Sequence, residues 1–242
     1  MSNFFSKHSR QAYKFNRAWL VLLAVLILIL LWRGSDQYNR PQIVALPDAP
    51  SAPVMQFIAA SDQAFAYRVL IFWLQQFDVQ AGQYVSFKQI DYSNLTDWLR
   101  VINQLEPASQ YPMLLATRVY SRVADSDRVR TMLDYVYKQY LADPVKNWRW
   151  LAEATITAQH KLKDQPLALK YATALAEQTS KEIPYWAKDM RLIILEKMGE
   201  IEQVKLLVGG LISTQAVTDL NEIRFLSVLM RRISDKSVKI SD

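Results

Sequence analysis

The chain has 242 residues, 51% of them apolar and 12% aromatic, which is enough for one packed core. Its formal net charge is +6, but Lys7, Arg10, Lys14 and Arg17 supply +4 of it with no acid among them. Because the charge is concentrated in this arm, the composition disfavours a nucleic-acid partner and favours a topology signal. The absence of cysteine excludes disulfides, thiolate metal sites and thiol nucleophiles.

The first element is an unbroken apolar run from Ala18 to Trp32, bracketed by Arg17 and Arg33. From Arg17 to Gly34 a helix covers roughly 27 Å, near the hydrocarbon thickness of a bilayer. We therefore predict a transmembrane anchor over residues 18–33 that contacts membrane lipid. Trp19 and Trp32 fall at the interfacial belts, and the two arginine stems reach the headgroups.

The basic arm, residues 1–17, sets the predicted orientation. It carries four basic residues, against Arg33 and Arg40 after the run, so the positive-inside rule places the arm in the cytoplasm. A cleaved signal peptide is the alternative, but no small-x-small cleavage pattern follows the run. We expect a single-pass protein of the bacterial inner membrane with its C-terminal domain in the periplasm.

Residues 34–60 form a predicted linker. Pro41, Pro47, Pro50 and Pro53 disfavour helix and favour an extended spacer. At about 3.1 Å per residue, the stretch from Gly34 to Val54 spans up to roughly 60 Å.

Residues 61–233 indicate an all-α domain, followed by a flexible tail at 234–242. Pro144 follows the end of one helix, Pro184 opens another, and Asp219 with Glu222 forms a capping box. The predicted helices cover residues 61–77, 93–105, 111–123, 126–141, 147–161, 165–178, 184–198, 200–213 and 219–232.

An internal repeat connects these helices. Met132, Ala168 and Val204 occupy equivalent places at intervals of 36 residues, which indicates stacked antiparallel helix pairs. Gly199 followed by Val204, Val208 and Leu211 resembles the turn glycine and second helix of the tetratricopeptide-repeat family. The junctions at 105–107 and 141–144 also resemble that family, and the likeness covers residues 93–213.

The resemblance implies a TPR-like solenoid that acts as a protein-binding scaffold. The layout as a whole also resembles membrane-anchored helical-repeat proteins of proteobacterial envelopes.

The sequence lacks the parts of most catalytic sites. His8 lies in the arm, which leaves His160 as the only histidine of the domain, so no histidine pair or serine triad is available. No glycine-rich phosphate loop is present. Some helical superhelices carry peptidoglycan lyase domains, but their Glu-Ser dipeptide is absent. We predict no enzymatic activity, no cofactor and no metal, and we expect surface roles for the scattered acids Glu153, Glu177, Asp189 and Glu196.

Two surfaces are candidates for partner binding. Residues 64–74 contain one charge, Arg68, and are apolar on every side of a helix, which predicts burial on all sides. Either the 78–92 connection and the C-terminal helix fold back over it, or a partner or the membrane covers its outer side. Its candidate contact residues are Phe65, Phe72 and Trp73.

The second candidate is an arginine cluster, Arg118, Arg122, Arg128 and Arg130. Arg118 and Arg122 lie four residues apart on one predicted helical face. The cluster is either a groove for an acidic or C-terminal carboxylate of a partner or a hydrated face paired with Asp125 or Asp127.

These features favour a non-catalytic scaffold or assembly factor that binds another protein of the cell envelope. The alternatives are a structural accessory subunit of an inner-membrane enzyme complex and a hydrolase or lyase with an unrecognised site.

Overall fold

The computed structural model describes residues 17–36, 45–59, 62–77, 79–80, 83–84, 87–214 and 217–241. The prediction of a helical chain is confirmed in these residues, apart from two short strands, β1 (Val79–Gln80) and β2 (Gln83–Tyr84). The helices are α1 (Arg17–Asp36), α2 (Ala52–Ile58), α3 (Gln63–Gln76), α4 (Tyr92–Leu105), α5 (Tyr111–Leu114), α6 (Ser126–Ala142), α7 (Pro144–His160), α8 (Gln165–Ala176), α9 (Tyr185–Lys188), α10 (Met190–Met198), α11 (Ile201–Ser213) and α12 (Leu220–Ser241).

The described chain divides into two compact units, and α1 belongs to a different unit from α2 to α12. The described large apolar side chains of α1, from Trp19 to Leu31, are between 47% and 68% exposed. No helix among the described residues is long and apolar enough to cross a membrane. Residues 1–16 and the side chains of Arg17, Trp32 and Arg33 lie outside the described part, so the predictions for them are untested.

The structure differs from the predicted extended spacer after residue 44. The Asn94 side chain of α4 accepts a hydrogen bond from the Ala49 backbone N–H at 3.1 Å and donates to the carbonyl oxygens of Leu46 and Pro47, each at 2.8 Å. The Trp98 indole N–H donates to the Pro47 carbonyl at 2.7 Å. The prolines prevent a regular helix there, which leaves carbonyl groups for α4 to bind. Helix α2 then packs on α3 and α4.

From α3 onward, each helix packs mainly on its near neighbours in the sequence. The principal contacts join α3 to α4, α4 to α6, α6 to α7, α7 to α8, α8 to α10, α10 to α11, and α11 to α12. The three repeat-aligned positions, Met132, Ala168 and Val204, have 0% exposure. The core therefore runs along the chain through aliphatic and aromatic side chains.

Side-chain hydrogen bonds also join helices that are next but one in sequence. Many of the bonded residues are separated along the chain by close to the predicted repeat length of 36. Other bonded pairs are separated by 38 to 40 residues. Separations of 34 to 36 residues are found for Gln75–Tyr111, Asn103–Gln139, Arg118–Glu153, Arg130–Asp164, Tyr140–Ala174 and Glu196–Arg232.

Gly199 closes α10 with a positive φ of 83°, a conformation that favours glycine. Its N–H donates to the Glu196 carbonyl at 3.1 Å, and the Glu200 N–H donates to the Leu195 carbonyl at 3.0 Å. These bonds satisfy the last carbonyls of α10 and turn the chain into α11. The glycine thus has a conformational role at the place where the family resemblance expects a turn.

The interface around Ala168 gives a test of the packing. Changing Ala168 to Glu would bury an unpaired carboxylate among α7, α8 and α10, which we expect to lower the free energy of unfolding by several kcal/mol. Ala142→Glu, at an exposed alanine of α6, is the matched control and should change it little. Urea denaturation followed by tryptophan fluorescence measures both. Equal stability of the two variants would contradict the described packing.

Candidate functional site

The outer face of α3 is the first candidate surface. Asp62 caps the helix by accepting a hydrogen bond from the Phe65 N–H at 2.8 Å. The α3 outer face consists of Phe65, Arg68, Val69 and Phe72, which are spaced three, four and seven residues from Phe65 and so share one side of a helix. Phe65 and Phe72 are 63% and 67% exposed, and Val69 is 47% exposed. This face is a stripe of apolar surface with one cation.

Within the described residues, α3 is not buried on all sides, so the fold-back alternative is not observed, and coverage by a partner or the membrane stays a prediction. Ile71 and Leu74 are buried, but the outer face is not covered by α12, which packs on α11. Trp73 is half-buried whereas its neighbour Phe72 is exposed, because successive residues of a helix lie about 100° apart around its axis. Its ring lies 4.7 Å from the rings of both Phe77 and Trp98, centroid to centroid. Trp73 is therefore a packing residue, whereas Phe65 and Phe72 remain candidate contacts.

The arginine cluster is largely paired with acids and aromatic rings. Arg118 Nε donates to both carboxylate oxygens of Glu153, at 2.9 and 3.1 Å, and its guanidinium lies 5.7 Å from the Trp150 ring centroid. Arg130 forms an ion pair with Asp164. The hydrogen bond from the Leu167 N–H, and secondly the hydrogen bond from Arg130, hold the pKa of the Asp164 carboxyl below its usual value.

Arg128 pairs with Asp125 at 3.4 Å, donates to the Phe87 carbonyl at 3.0 Å and lies 5.5 Å from the Tyr92 ring centroid. Arg122 is exposed. Arg118 and Arg122 lie in a π-helical turn at Leu115–Val119 and a 3-10 turn at Tyr120–Arg122, so the spacing of four does not place them as in an α-helix. Arg118, Arg128 and Arg130 thus connect separate segments of the chain.

Two of the four acids that showed no pattern in the sequence, Glu153 and Glu196, have basic partners. Glu153 binds Arg118, and Glu196 binds Arg232 at 2.5 Å. Glu177 is exposed. Asp189, however, is only 6% exposed and faces a second buried acid, Glu222, which is 7% exposed.

This acid pair lies in a cavity of about 780 Å³ between the α8–α9 connection, α10, the end of α11 and the start of α12, which we call the carboxyl cavity. Its volume falls in the range of small-molecule sites. Apolar side chains supply part of the wall and charged groups the rest. Its lining includes Ile183, Lys188, Asp189, Leu192, Leu211 and Glu222.

The pKa values of Asp189 and Glu222 are both raised. Burial raises the pKa of Asp189 to about 8, and the hydrogen bond and negative charge of Glu222 add to this effect, although Lys188 opposes it. Burial also raises the pKa of Glu222. Two negative charges in one buried site repel each other, so the pair favours a state in which one proton is held between the two carboxyls.

The contact between Asp189 and Glu222 could not be predicted from local sequence patterns. Asp219 Oδ1 accepts from the N–H groups of Asn221 and Glu222, at 2.8 and 3.1 Å, and so caps α12 as predicted. The capping box assigns the Glu222 side chain to the same helix start, but in the structure it contacts Asp189. The two acids are 33 residues apart, and no spacing rule connects them.

Comparisons with protein-family models, curated proteins and solved structures found no match to this chain.

The acid pair predicts a pH-dependent stability. Because the folded state holds a proton that the unfolded state releases above the ordinary Asp pKa near 3.8, the free energy of unfolding should fall by a few kcal/mol between about pH 4 and pH 8. Asp189→Asn keeps a hydrogen-bond donor beside Glu222 without the titration, and should flatten this decline.

Urea denaturation at steps of pH measures the effect. Asp134→Asn, which removes an exposed acid paired with Lys138, is the control and should keep the slope of the parent. An unchanged slope in Asp189→Asn would show that the buried proton is not on this pair.

Proposed function

We propose that the protein is a non-catalytic scaffold or assembly factor that binds another cell-envelope protein through the α3 outer face. The observation that carries this proposal is the exposure of Phe65 and Phe72, about two thirds of each, on a helix whose other side is fixed in the core. Large exposed aromatic side chains mark interfaces, and an arginine beside aromatic residues is typical of binding hot spots. Arg68 supplies that arginine.

The helical domain supports a scaffold role through its packing. Contacts between helices next but one in sequence recur at 34 to 36 residues, and the positions aligned by the 36-residue interval are fully buried. A TPR-like solenoid has these properties, since each repeat contacts only its neighbours. Repeat solenoids present extended surfaces to protein ligands, which is the basis for the partner class proposed here.

Helix α1 is the proposed membrane anchor. Its described apolar side chains are exposed, and lipid would cover them. The apolar run of 15 residues covers only about 22 Å. The proposal therefore requires the stems of Arg17 and Arg33 to extend the span toward the headgroups. The basic arm places residues 1–17 in the cytoplasm and the helical domain in the periplasm.

A structural accessory subunit of an inner-membrane enzyme complex is the second candidate. The exposed apolar surface of α1 favours it, because other membrane helices of a complex would cover the same surface. The two functions differ in stoichiometry. A subunit co-purifies with one enzyme in a fixed ratio, whereas an assembly factor is recovered in substoichiometric amounts.

Substitution of the α3 outer face tests the binding proposal. Phe65→Ser and Phe72→Ser should each reduce recovery of the partner from solubilised membranes by about tenfold, since hot-spot aromatic residues contribute on this scale. Both should leave the melting temperature nearly unchanged, because the side chains are exposed.

Ile212→Ser, at a 58% exposed apolar residue of α11, is the matched control and should retain the partner. Ile71→Ser, at a buried residue of α3, should instead destabilise the domain. Full recovery of the partner by folded Phe65→Ser and Phe72→Ser would place the binding surface elsewhere.

A reporter fusion tests the orientation. Alkaline phosphatase fused after Asp242 should be active, because the basic arm retains the N-terminus in the cytoplasm and exports the domain. A cytoplasmic reporter such as β-galactosidase at the same position should be inactive. The reverse pattern would contradict the orientation, and a mature N-terminus beyond residue 34 would contradict the anchor.

A further inference from the structure

Two half-buried cations line the carboxyl cavity where α9 meets α10. Lys188 ends α9, and Asp189 continues the right-handed helical conformation into α10, with φ −73° and ψ −12°. Lys188 and Arg191 are therefore three residues apart on one side of an almost continuous helix, and both line the cavity. Lys181, in the α8–α9 connection, is a third cation of the wall.

Arg191 has no acid to neutralise its guanidinium. Within the part of the chain that the structure describes, its side chain forms no ion pair and no hydrogen bond, although it is half-buried. By contrast, Arg118, Arg130 and Arg232 are each paired with an acid. A guanidinium that is partly removed from water requires acceptors for its N–H groups. Arg191 lines the cavity and retains accessible surface, so a ligand in the cavity can contact it.

The charge of the cavity wall favours a ligand with a single negative charge. Its three cations stand against two negative charges, one on Asp219 and one on the pair of Asp189 and Glu222, which holds a proton. Asp219 Oδ1 already accepts two backbone N–H groups at the start of α12. A monoanion would balance the remaining positive charge, whereas a dianion would leave an excess of negative charge beside the acid pair.

The apolar part of the wall favours a ligand with an alkyl chain. Ile183, Leu192, Leu211 and Val217 line the cavity, and the first two are buried in the domain, which fixes their positions. An alkyl chain would displace water from these side chains, which is favourable. Small-molecule sites combine such apolar walls with a few polar groups that fix orientation, and a volume of about 780 Å³ is sufficient for one.

We propose that the carboxyl cavity binds a carboxylate that carries an unbranched alkyl chain. The carboxylate would accept hydrogen bonds from Arg191 and Lys188, and the chain would lie against the apolar wall. A guanidinium matches the two oxygens of a carboxylate. Lys188 Nζ donates to the Ser180 carbonyl at 2.9 Å, which leaves two of its N–H groups for a ligand. This binding does not depend on the α3 outer face, because the cavity is formed by other helices.

A titration of the full chain in nonionic detergent with sodium n-pentanoate, followed by ligand-observed NMR, tests the proposal. We expect saturable binding, and none in the same detergent without protein. Pentanamide, which has the same chain without the charge, should not bind saturably. Acetate, which has the charge without the chain, should bind at least about tenfold more weakly, because three buried methylene groups are lost.

Substitution of Arg191 locates the site. Arg191→Gln should weaken binding of n-pentanoate by about tenfold or more, since it removes the charged donor. Arg191→Lys keeps the charge without the paired N–H groups and should weaken binding less. Arg224→Gln, at an exposed arginine of α12 outside the cavity, is the matched control and should bind as the parent does.

A second variant tests the space for the chain. Val217→Trp, at a half-buried residue of the wall, should weaken binding by about tenfold, because the larger ring would fill the cavity. It also replaces Arg191→Gln as the decisive variant if that protein does not fold. Absence of saturable n-pentanoate binding, equal binding of pentanamide, or parent-like binding by the folded decisive variant would overturn the proposal.

The source of the carboxylate is resolved by a second ligand, N-acetylnorleucine, which carries an alkyl side chain on a blocked C-terminal residue. Tighter binding of n-pentanoate, with the loss in Arg191→Gln, assigns the cavity to a free carboxylic acid. Tighter binding of N-acetylnorleucine with the same loss assigns it to the C-terminus of a polypeptide.

Discussion

Packing between helices that are close in sequence is the constraint on which the rest of this structure depends. Each helix from α3 to α12 buries its apolar side mainly against its neighbours along the chain. In such an arrangement an internal helix has a neighbour on each side, but a helix at either end has only one. Exposed apolar surface is therefore expected at the ends, and α3 begins the larger packed unit together with α2.

The two candidate sites arise from different kinds of incomplete burial. On α3, large aromatic side chains remain in contact with solvent, and covering them would be favourable in proportion to the apolar area removed from water. At the carboxyl cavity, one buried carboxylate oxygen of Glu222 has no hydrogen-bond partner among the described residues. A partner surface of complementary shape would cover the exposed aromatic side chains, whereas the unpaired oxygen requires a specific hydrogen-bond donor.

Local sequence signals predicted much of the helical architecture because each is an interaction within one or two turns. Capping by Asp219 and the turn at Gly199 depend on backbone groups a few residues away. The docking of residues 46–49 by Asn94 was not predictable in this way. Its partners lie 45 to 48 residues distant, and the local pattern indicated only that Asn94 is near a helix start.

The candidate sites could be predicted from the sequence only in part, because their geometry depends on contacts between distant residues. The composition of α3 predicted an unusual apolar helix, but not that Trp73 is packed while Phe72 is exposed, because an all-round apolar sequence has no polar face to orient it. The arginine spacing assumed α-helical geometry, which the π-helical turn at Leu115–Val119 changes. The pairing of Asp189 with Glu222 depends on how the α9–α10 region meets α12, and tertiary packing alone determines this.

Site-specific photo-crosslinking in intact cells tests most directly whether the α3 outer face contacts another protein. A photo-reactive phenylalanine analogue would replace Phe65 or Phe72, and the exposed Ile212 of α11 would serve as the reference position. The account predicts one discrete protein adduct from positions 65 and 72 and none from 212. Adducts only with lipid, no adduct, or the same adducts from all three positions would contradict it.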